Sequence, residues 1–256
     1  PELEPDELAY KIDDRYFAIQ RTEEGYDYTF YALDYDEIDG GAYDNPDISM
    51  RQAMEDILED EDMSLENAVP VDYEDLMAEV EEAGERQMQL AQEVYLKHGI
   101  TTAQEGLAGT VEWEQLKQLA QNGELNIDVV AYADMKSSRS LMKENKKYRG
   151  TYINHLKLGG YKIFLDGSPQ GRTAWMSEPY EGAEDGYSGY PIYTDGQVRE
   201  YMQEAVQDHA QLLVHCNGDA AAQQMIDAYR TIRRPDSEIR PVMIHAQLVR
   251  EDQLKE

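Results

Sequence analysis

Short apolar runs alternate with longer amphipathic segments along the last two thirds of the chain. Amphipathic segments that end at a glycine or a turn are typical of helices, and short apolar runs between them are typical of buried strands. The pattern predicts helices over residues 86–98, 111–122, 195–210 and 219–233, and strands over residues 100–105, 125–132, 161–165, 211–215 and 240–245. Strands that alternate with helices form parallel βαβ units, so we expect an α/β fold.

The positions of three polar residues distinguish between the two parallel folds that this alternation allows. A doubly wound open sheet and a closed barrel both fit five strands of this kind. Lys162 lies inside an apolar strand, and His215 and His245 each end one. In a barrel the functional groups gather at the carboxyl ends of the strands, where these three residues would converge, whereas an open sheet would spread them along an edge. The pattern therefore favours a (β/α) barrel.

The first part of the chain has the pattern of a small α+β module. Two aromatic and β-branched runs, residues 16–20 and 26–31, flank a Glu-Glu-Gly turn and predict a β-hairpin, and residues 34–41 predict a further turn and an edge strand. Apolar positions at helical spacing predict a helix over residues 48–58, which Asp47 would cap.

A second, acidic helix is predicted over residues 72–90.

The distribution of charge along the chain separates its first 85 residues from the rest. Residues 1–85 hold 29 acidic against 4 basic residues, a net charge of −25, and residues 86–256 hold 24 against 19, a net charge of −5. So uneven a charge indicates two modules. It also argues against nucleic acid as a direct ligand, because the phosphates would be repelled.

We therefore predict three segments. A small acidic α+β module occupies residues 1–70, a helical linker residues 71–85, and an incomplete barrel residues 86–256. No apolar run approaches the length of a membrane span, and the chain does not open with a signal peptide. The lone Cys216 excludes an internal disulfide and fits a reducing compartment, so we expect a cytoplasmic protein with no membrane contact.

Four segments of the barrel region carry a family resemblance. The segments GITTAQEG, YKIFLDGSPQGRTAWMSEPY, LLVHCNGDAA and RPVMIHAQLVREDQL resemble the metal-dependent amidohydrolase superfamily, and within it most closely the subgroup of N-substituted formamide deformylases. The resemblance covers residues 86–256. It implies a TIM-type (β/α)₈ barrel, of which this chain would hold about strands two to six, with one or two divalent metals at its mouth.

The resemblance assigns candidate metal ligands. It places Lys162 at the fourth-strand position of the family, His215 at the fifth and His245 at the sixth. In such enzymes the lysine is often carboxylated and then bridges two metals. Imidazole ligands suit zinc, so we expect zinc as the cofactor, with a possible carboxylated lysine at Lys162.

The chain also departs from the family pattern. A His-x-His pair, which the family places on the first strand, occurs nowhere in the sequence. The chain stops at Glu256, just past the sixth predicted strand, so we expect the eighth-strand Asp that acts as the general base to be absent. The catalytic residue is accordingly unknown.

The loop after the Lys162 strand offers candidate substrate contacts. Asp166 follows that strand directly and would bind substrate or support a metal ligand, although a tight turn explains it equally well. Arg172 and Trp175 in the same loop are further substrate-binding candidates. Cys216 follows His215 directly, so its side chain should point away from that of the histidine and serve packing.

The N-terminal segment carries a resemblance of its own. The runs YFAIQRTEEGYDYTFY and DNPDISMRQAMEDILEDE resemble small acidic modules of polyvalent proteins from mobile elements. Two functions follow for the whole chain. One is a metal-dependent hydrolase of small-molecule amides or related C–N bonds, incomplete and inactive alone, which could form a homo-oligomer. The alternative is a non-catalytic fusion of an acidic protein-interaction module with a barrel remnant.

Overall fold

A computed structural model describes residues 6–34, 37–61, 63–183, 185–232 and 239–256. The chain divides into two compact units, Pro1–Glu93 and Val94–Glu256. The boundaries that the sequence suggests near residues 70 and 85 stay a prediction. No helix within the described ranges is both long enough and apolar enough to span a membrane.

The first unit contains an antiparallel sheet of five strands. Their order across the sheet is β4-β3-β2-β1-β5. The predicted hairpin is confirmed, because its two strands pair antiparallel in register. The predicted edge strand is confirmed at the outside of the sheet, while residues 35 and 36 of its turn lie outside the described residues. The strands are β1 (Glu7–Ile12), β2 (Arg15–Arg21), β3 (Tyr26–Ala32), β4 (Glu37–Tyr43) and β5 (Val69–Val71).

Helix α1 (Met50–Asp60) covers one face of this sheet. Its buried residues are the predicted apolar face, namely Met50, Ala53, Met54, Ile57 and Leu58, and they pack with side chains such as Phe17 and Phe30 of the sheet. The predicted cap was wrong. The residue before the helix is Ser49, whose hydroxyl accepts a hydrogen bond from the backbone N–H of Gln52 at 3.2 Å, so the helix begins two residues later than expected.

A single helix, α2 (Tyr73–Lys97), replaces the two overlapping helices predicted over residues 72–90 and 86–98. Gly84 lies within this stretch but does not break the helix, and a Cβ added there would meet no atom within 4 Å. The predicted stop at Gly99 is confirmed, since this residue has a φ of 73° and follows the last turn.

The second unit contains a parallel sheet of five strands in the order β10-β9-β8-β7-β6, so each strand neighbours the next one along the chain. All five strands were predicted. They are β6 (Thr102–Ala108), β7 (Asp128–Asp134), β8 (Leu156–Phe164), β9 (Gln211–Cys216) and β10 (Val242–His245). The helices are α3 (Thr110–Asn122), the short α4 (Leu141–Glu144), α5 (Asp195–Gln207) and α6 (Asp219–Ile232), and Arg233 lies outside the described residues.

The five sequential parallel strands form a curled half-barrel sheet in an α/β fold. Closure of this sheet into a TIM-type barrel stays an expectation.

Two glycines shape β8. A Cβ on Gly160, whose φ is 156°, would lie 1.9 Å from the carbonyl oxygen of Gln211, so only glycine allows β8 this close to β9. A Cβ on Gly159 would lie 2.6 Å from the ring of Tyr132, whose hydroxyl donates to Gln211 Oε1 at 2.7 Å.

Candidate functional site

The three candidate metal ligands lie on adjacent strands of the half-barrel. Lys162 belongs to β8, His215 to β9 and His245 to the end of β10. Lys162 and His215 are buried, with 6% and 8% of their surfaces exposed, and His245 is exposed. The strands thus bring one amine and two imidazoles to the same end of the sheet.

Lys162 lies in a setting that disfavours its charge. Its Nζ is 3.9 Å from the centroid of the Phe164 ring. Burial lowers the pKa of its ammonium group below the ordinary value, while the negative charges of Asp134 and Glu105 raise it in part. A lysine must lose its proton before it can bind a metal, so this shift favours that chemistry.

His215 is held by its Nε2 atom. That nitrogen lies 3.0 Å from the carbonyl oxygen of Gly167 and 3.2 Å from Nδ2 of Asn217. The other ring nitrogen, Nδ1, is buried and has no hydrogen-bond partner among the described residues. Burial lowers the pKa of the imidazole, and the Gly167 carbonyl and the carboxylate of Asp166 offset this in part. The lowered pKa favours the neutral ring that metals bind.

His245 reaches the site through an unusual backbone turn. Its register partner is Cys216, whose Sγ lies 4.0 Å from Sδ of Met225 on α6, as expected for a packing residue. His245 has a φ of 69°, and the backbone N–H of Ala246 donates across it to the carbonyl oxygen of Ile244 at 3.0 Å, which makes a γ-turn. The turn ends the strand alternation, and the ring of His245 lies with its centroid 4.7 Å from that of His215.

The candidate substrate residues occupy the loop after β8 in different ways. Asp166 is only 1% exposed, and its carboxylate accepts the backbone N–H of Trp175 at 3.0 Å. Trp175 is half-buried, and Arg172 is exposed with a φ of 52°. The loop therefore places Arg172 and Trp175 where a ligand can reach them, whereas Asp166 faces the protein interior.

Sequence reasoning missed three polar residues of this site. Glu105 in β6 and Asp134 at the end of β7 both act electrostatically on Lys162, and Asn217 donates to the Gly167 carbonyl oxygen at 2.8 Å. Asp134 is the register partner of Lys162 in the neighbouring strand. The sequence does hold a signal for these residues, because they lie in or after strands close to the Lys162 strand. Neighbouring parallel strands bring their carboxyl ends, and the polar residues there, to one edge of the sheet.

The donor set can be compared with the needs of a divalent metal. Across the described ranges, no group of three or more His, Cys, Asp and Glu side chains is arranged to hold a metal ion. The strand ends offer two imidazoles and an amine, and one imidazole carries a buried nitrogen without a partner. Nitrogen donors of this kind fit zinc, provided that Lys162 is neutral or carboxylated. The two imidazoles thus suit a divalent metal in their chemistry, and Lys162 could join them only as a neutral amine or as a carbamate that donates oxygen.

Comparison with known proteins gives two separate similarities. A family profile described as Large polyvalent protein-associated domain 16 matches residues 3–83. The chain is also 29% identical over 104 residues to the Bacillus subtilis (strain 168) protein named "Putative amidohydrolase YtcJ". That match covers 41% of this chain and 19% of the relative.

Two solved structures are similar to the chain. One is an uncharacterized metal-dependent hydrolase from Pyrococcus furiosus, with a TM-score of 0.57 and 28% identity over 68% of this chain and 36% of that one. The other, from Pyrococcus horikoshii OT3, has a TM-score of 0.57 and 25% identity over 73% of this chain and 39% of that one. The chain spans a fifth of the curated relative and under two fifths of these structures. The similarities support a hydrolase lineage for it.

Proposed function

We propose that the half-barrel is the metal-binding part of an amidohydrolase-type enzyme that acts on amides or related C–N bonds of small molecules. The observation that carries this proposal is the ring contact of His215 and His245 beside the buried Lys162. Three strand ends converge there, and fold likeness alone would not specify a function. The names of the similar proteins point to the same chemistry.

In this proposal His215 and His245 would hold a zinc ion through neutral imidazole nitrogens. Lys162 would complete the set if its amine were neutral or carboxylated to a carbamate. A metal held there would polarise a substrate carbonyl and lower the pKa of a water molecule. Burial of His215 and Lys162 would limit access of bulk water to these two donors, whereas His245 is exposed.

We assign substrate contact to the loop after β8. The exposed guanidinium of Arg172 can donate hydrogen bonds to an acyl oxygen or to an acidic group of the substrate, since it carries five N–H donors. The half-buried indole of Trp175 offers an apolar surface for the substrate body. Both residues follow the strand that carries Lys162.

Among the described residues, no carboxylate near this site is placed as a general base that would take the proton from water. The carboxylate of Asp134 accepts from the backbone N–H of Lys136 at 3.0 Å and from the hydroxyl of Ser137 at 2.5 Å. Glu105 accepts from the backbone N–H of Leu107 at 2.9 Å. Neither occupies the place that the family gives to its general base. We therefore propose that the isolated 256-residue chain binds zinc weakly and hydrolyses amides poorly or not at all.

A second candidate is a non-catalytic fusion protein. It is favoured by the match of residues 3–83 to a domain of large polyvalent proteins and by the charge of −25 on residues 1–85. In that case the first unit would bind another protein, and the half-barrel would have lost its metal chemistry. Zinc binding separates the two candidates, because only the first requires it.

The test is a calorimetric titration of the full chain with zinc in the presence of bicarbonate. We expect one weak site that disappears in His215→Ala and in His245→Ala. His98→Ala is the matched control, because His98 is exposed and lies outside the half-barrel strands. Zinc binding that survives both site variants, or that only His98→Ala removes, would contradict the proposed site.

A further inference from the structure

The carboxylate of Asp166 joins two segments at the end of the half-barrel. It accepts hydrogen bonds from the backbone N–H groups of Trp175 at 3.0 Å, Asn217 at 2.9 Å and Gly218 at 2.7 Å. Trp175 belongs to the loop after β8, and the other two donors belong to the turn between β9 and α6. A buried carboxylate with three such donors is firmly held, because each bond to a charged group is stronger than an ordinary one.

Backbone packing makes this junction rigid. A Cβ on Gly218 would lie 1.9 Å from the carbonyl oxygen of Trp175, so the two segments touch backbone to backbone. The same carbonyl oxygen accepts from the N–H of Ala220 at 3.2 Å. Asp166 therefore cannot shift without moving both segments.

The rigid junction fixes the direction of the next carbonyl group. Gly167 follows Asp166, and a Cβ on it would lie 2.0 Å from Oγ1 of Thr173, so glycine is required here. Its carbonyl oxygen lies 3.0 Å from Nε2 of His215 and accepts from Nδ2 of Asn217 at 2.8 Å. A backbone acceptor is thus held against one specific nitrogen of the candidate ligand.

This contact favours one of the two neutral tautomers of His215. With hydrogen on Nε2, the ring donates to Gly167, and Nδ1 keeps an unshared electron pair. With hydrogen on Nδ1, Nε2 could accept from Nδ2 of Asn217 at 3.2 Å, but its electron pair would also face that of the Gly167 carbonyl at 3.0 Å, and the buried Nδ1–H would have no acceptor among the described residues. Buried N–H groups without a partner are rarer and costlier than under-used acceptors. The carboxylate oxygen of Asp166, 3.5 Å from Nε2, also favours a proton there.

We propose that Asp166 is a positioning residue, which holds the Gly167 carbonyl against His215 and so fixes the Nε2–H tautomer, leaving Nδ1 free to bind a divalent cation. The cation-binding part rests on the proposed function, whereas the tautomer does not. Metal-binding histidines commonly donate their second nitrogen to a carbonyl or carboxylate group, which orients the ring. Here the orienting group is itself oriented by a buried carboxylate.

The experiment uses the full chain labelled with ¹⁵N at its histidines. Two-bond ¹H–¹⁵N correlation spectra, recorded without metal above the pKa of histidine, distinguish a protonated from an unprotonated ring nitrogen. The His215 signals are assigned by their loss in His215→Gln. We expect a single Nε2–H tautomer in the unsubstituted chain and a mixture of tautomers in Asp166→Asn, whose zinc affinity falls about 10–100-fold.

Asp219→Asn is the matched control. Asp219 is also a buried carboxylate at this turn, but within the described residues it accepts from Ser177 and Arg250 and makes no hydrogen bond with Gly167. It should lower the thermal midpoint yet leave His215 in one tautomer. An Nδ1–H tautomer in the unsubstituted chain would overturn the proposal, even if Asp166→Asn fails to fold. So would an unchanged tautomer in a folded Asp166→Asn, or equal mixing in Asp219→Asn. If the tautomers behave as expected but no variant binds zinc, the proposed function alone fails.

Discussion

The rings of His215 and His245 lie at 76° to each other with centroids 4.7 Å apart, although strand register pairs His245 with Cys216 instead. A regular strand would turn His245 to the side on which Cys216 packs against α6. The γ-turn at His245 prevents this. Positive φ at a non-glycine residue costs free energy, and such strained residues recur at functional sites. The strained turn is thus a structural reason to regard the two histidines as one site.

Amide hydrolysis by the isolated chain should be negligible. A metal, an activated water and a proton acceptor must act together, and loss of a general base typically costs about 10²–10⁴-fold in rate. The measurement is an assay of the chain, loaded with zinc and bicarbonate, against a panel of N-formyl and N-acyl amides. Turnover that vanishes in His215→Ala and His245→Ala, but not in His98→Ala, would show that this site is a working enzyme.

Lys162→Met should stabilise the second unit near neutral pH by on the order of 1 kcal/mol, because it removes a charge whose burial is costly. The pKa of Lys162 is lowered on folding, so the unfolded chain binds the proton more tightly. The cost is therefore fully present at pH values below the lowered pKa and declines as the pH rises from there towards the ordinary lysine value of 10.5.

The measurement for Lys162→Met is the free energy of unfolding by urea at pH 7 and at pH 10. The gain should shrink at the higher pH. Lys136→Met is the matched control, since Lys136 is exposed on the neighbouring loop and should give no such gain. A loss of stability at pH 7 in Lys162→Met would mean that the amine contributes more through its contacts than its burial costs.

Ser49→Ala should destabilise the first unit by about 1 kcal/mol, because its hydroxyl caps α1. Asp47→Ala lies two residues earlier and should change the free energy of unfolding by less than roughly 0.5 kcal/mol, as a surface substitution does. Urea unfolding of both variants, monitored by circular dichroism, gives the comparison. Equal losses of unfolding free energy in the two variants would contradict Ser49 as the cap and support Asp47 instead.

The isolated chain should self-associate. Within the described residues, β6 and β10 are the outer strands of the parallel sheet, and outer strands offer unpaired backbone groups. Val242 on β10 is 36% exposed. Val242→Lys should reduce the mass measured by light scattering after gel filtration, because charge on an outer strand discourages pairing. Val111→Lys, on α3, should not. A monomer with a sharp thermal transition would contradict this expectation.

Much of the fold was predictable because its strands are short apolar runs bounded by clear turns. β8 shows where the pattern misleads. It was expected from residue 161 but begins at Leu156, because Gly159 and Gly160 resemble a turn in sequence and instead allow close strand packing. Strand β5, only three residues long with Pro70 at its centre, has too little pattern to be recognised. In each case the strand is decided by its neighbours in space.

The sequence predicts the three candidate ligands of the site but not the residues around them. Lys162, His215 and His245 stand out because they are polar residues in or at the end of apolar strands. Glu105 and Asp134 do not stand out in so acidic a chain, and only the strand register brings them near Lys162. The Gly167 carbonyl is a backbone group, so no residue pattern reveals it.

The most direct test is the position of zinc in crystals of the chain grown with zinc, located by anomalous scattering at the zinc edge. The account predicts a peak within about 2.0–2.1 Å of Nδ1 of His215 and of a nitrogen of His245. It would be contradicted by zinc bound only elsewhere, or by both imidazoles remaining without a metal at saturating zinc.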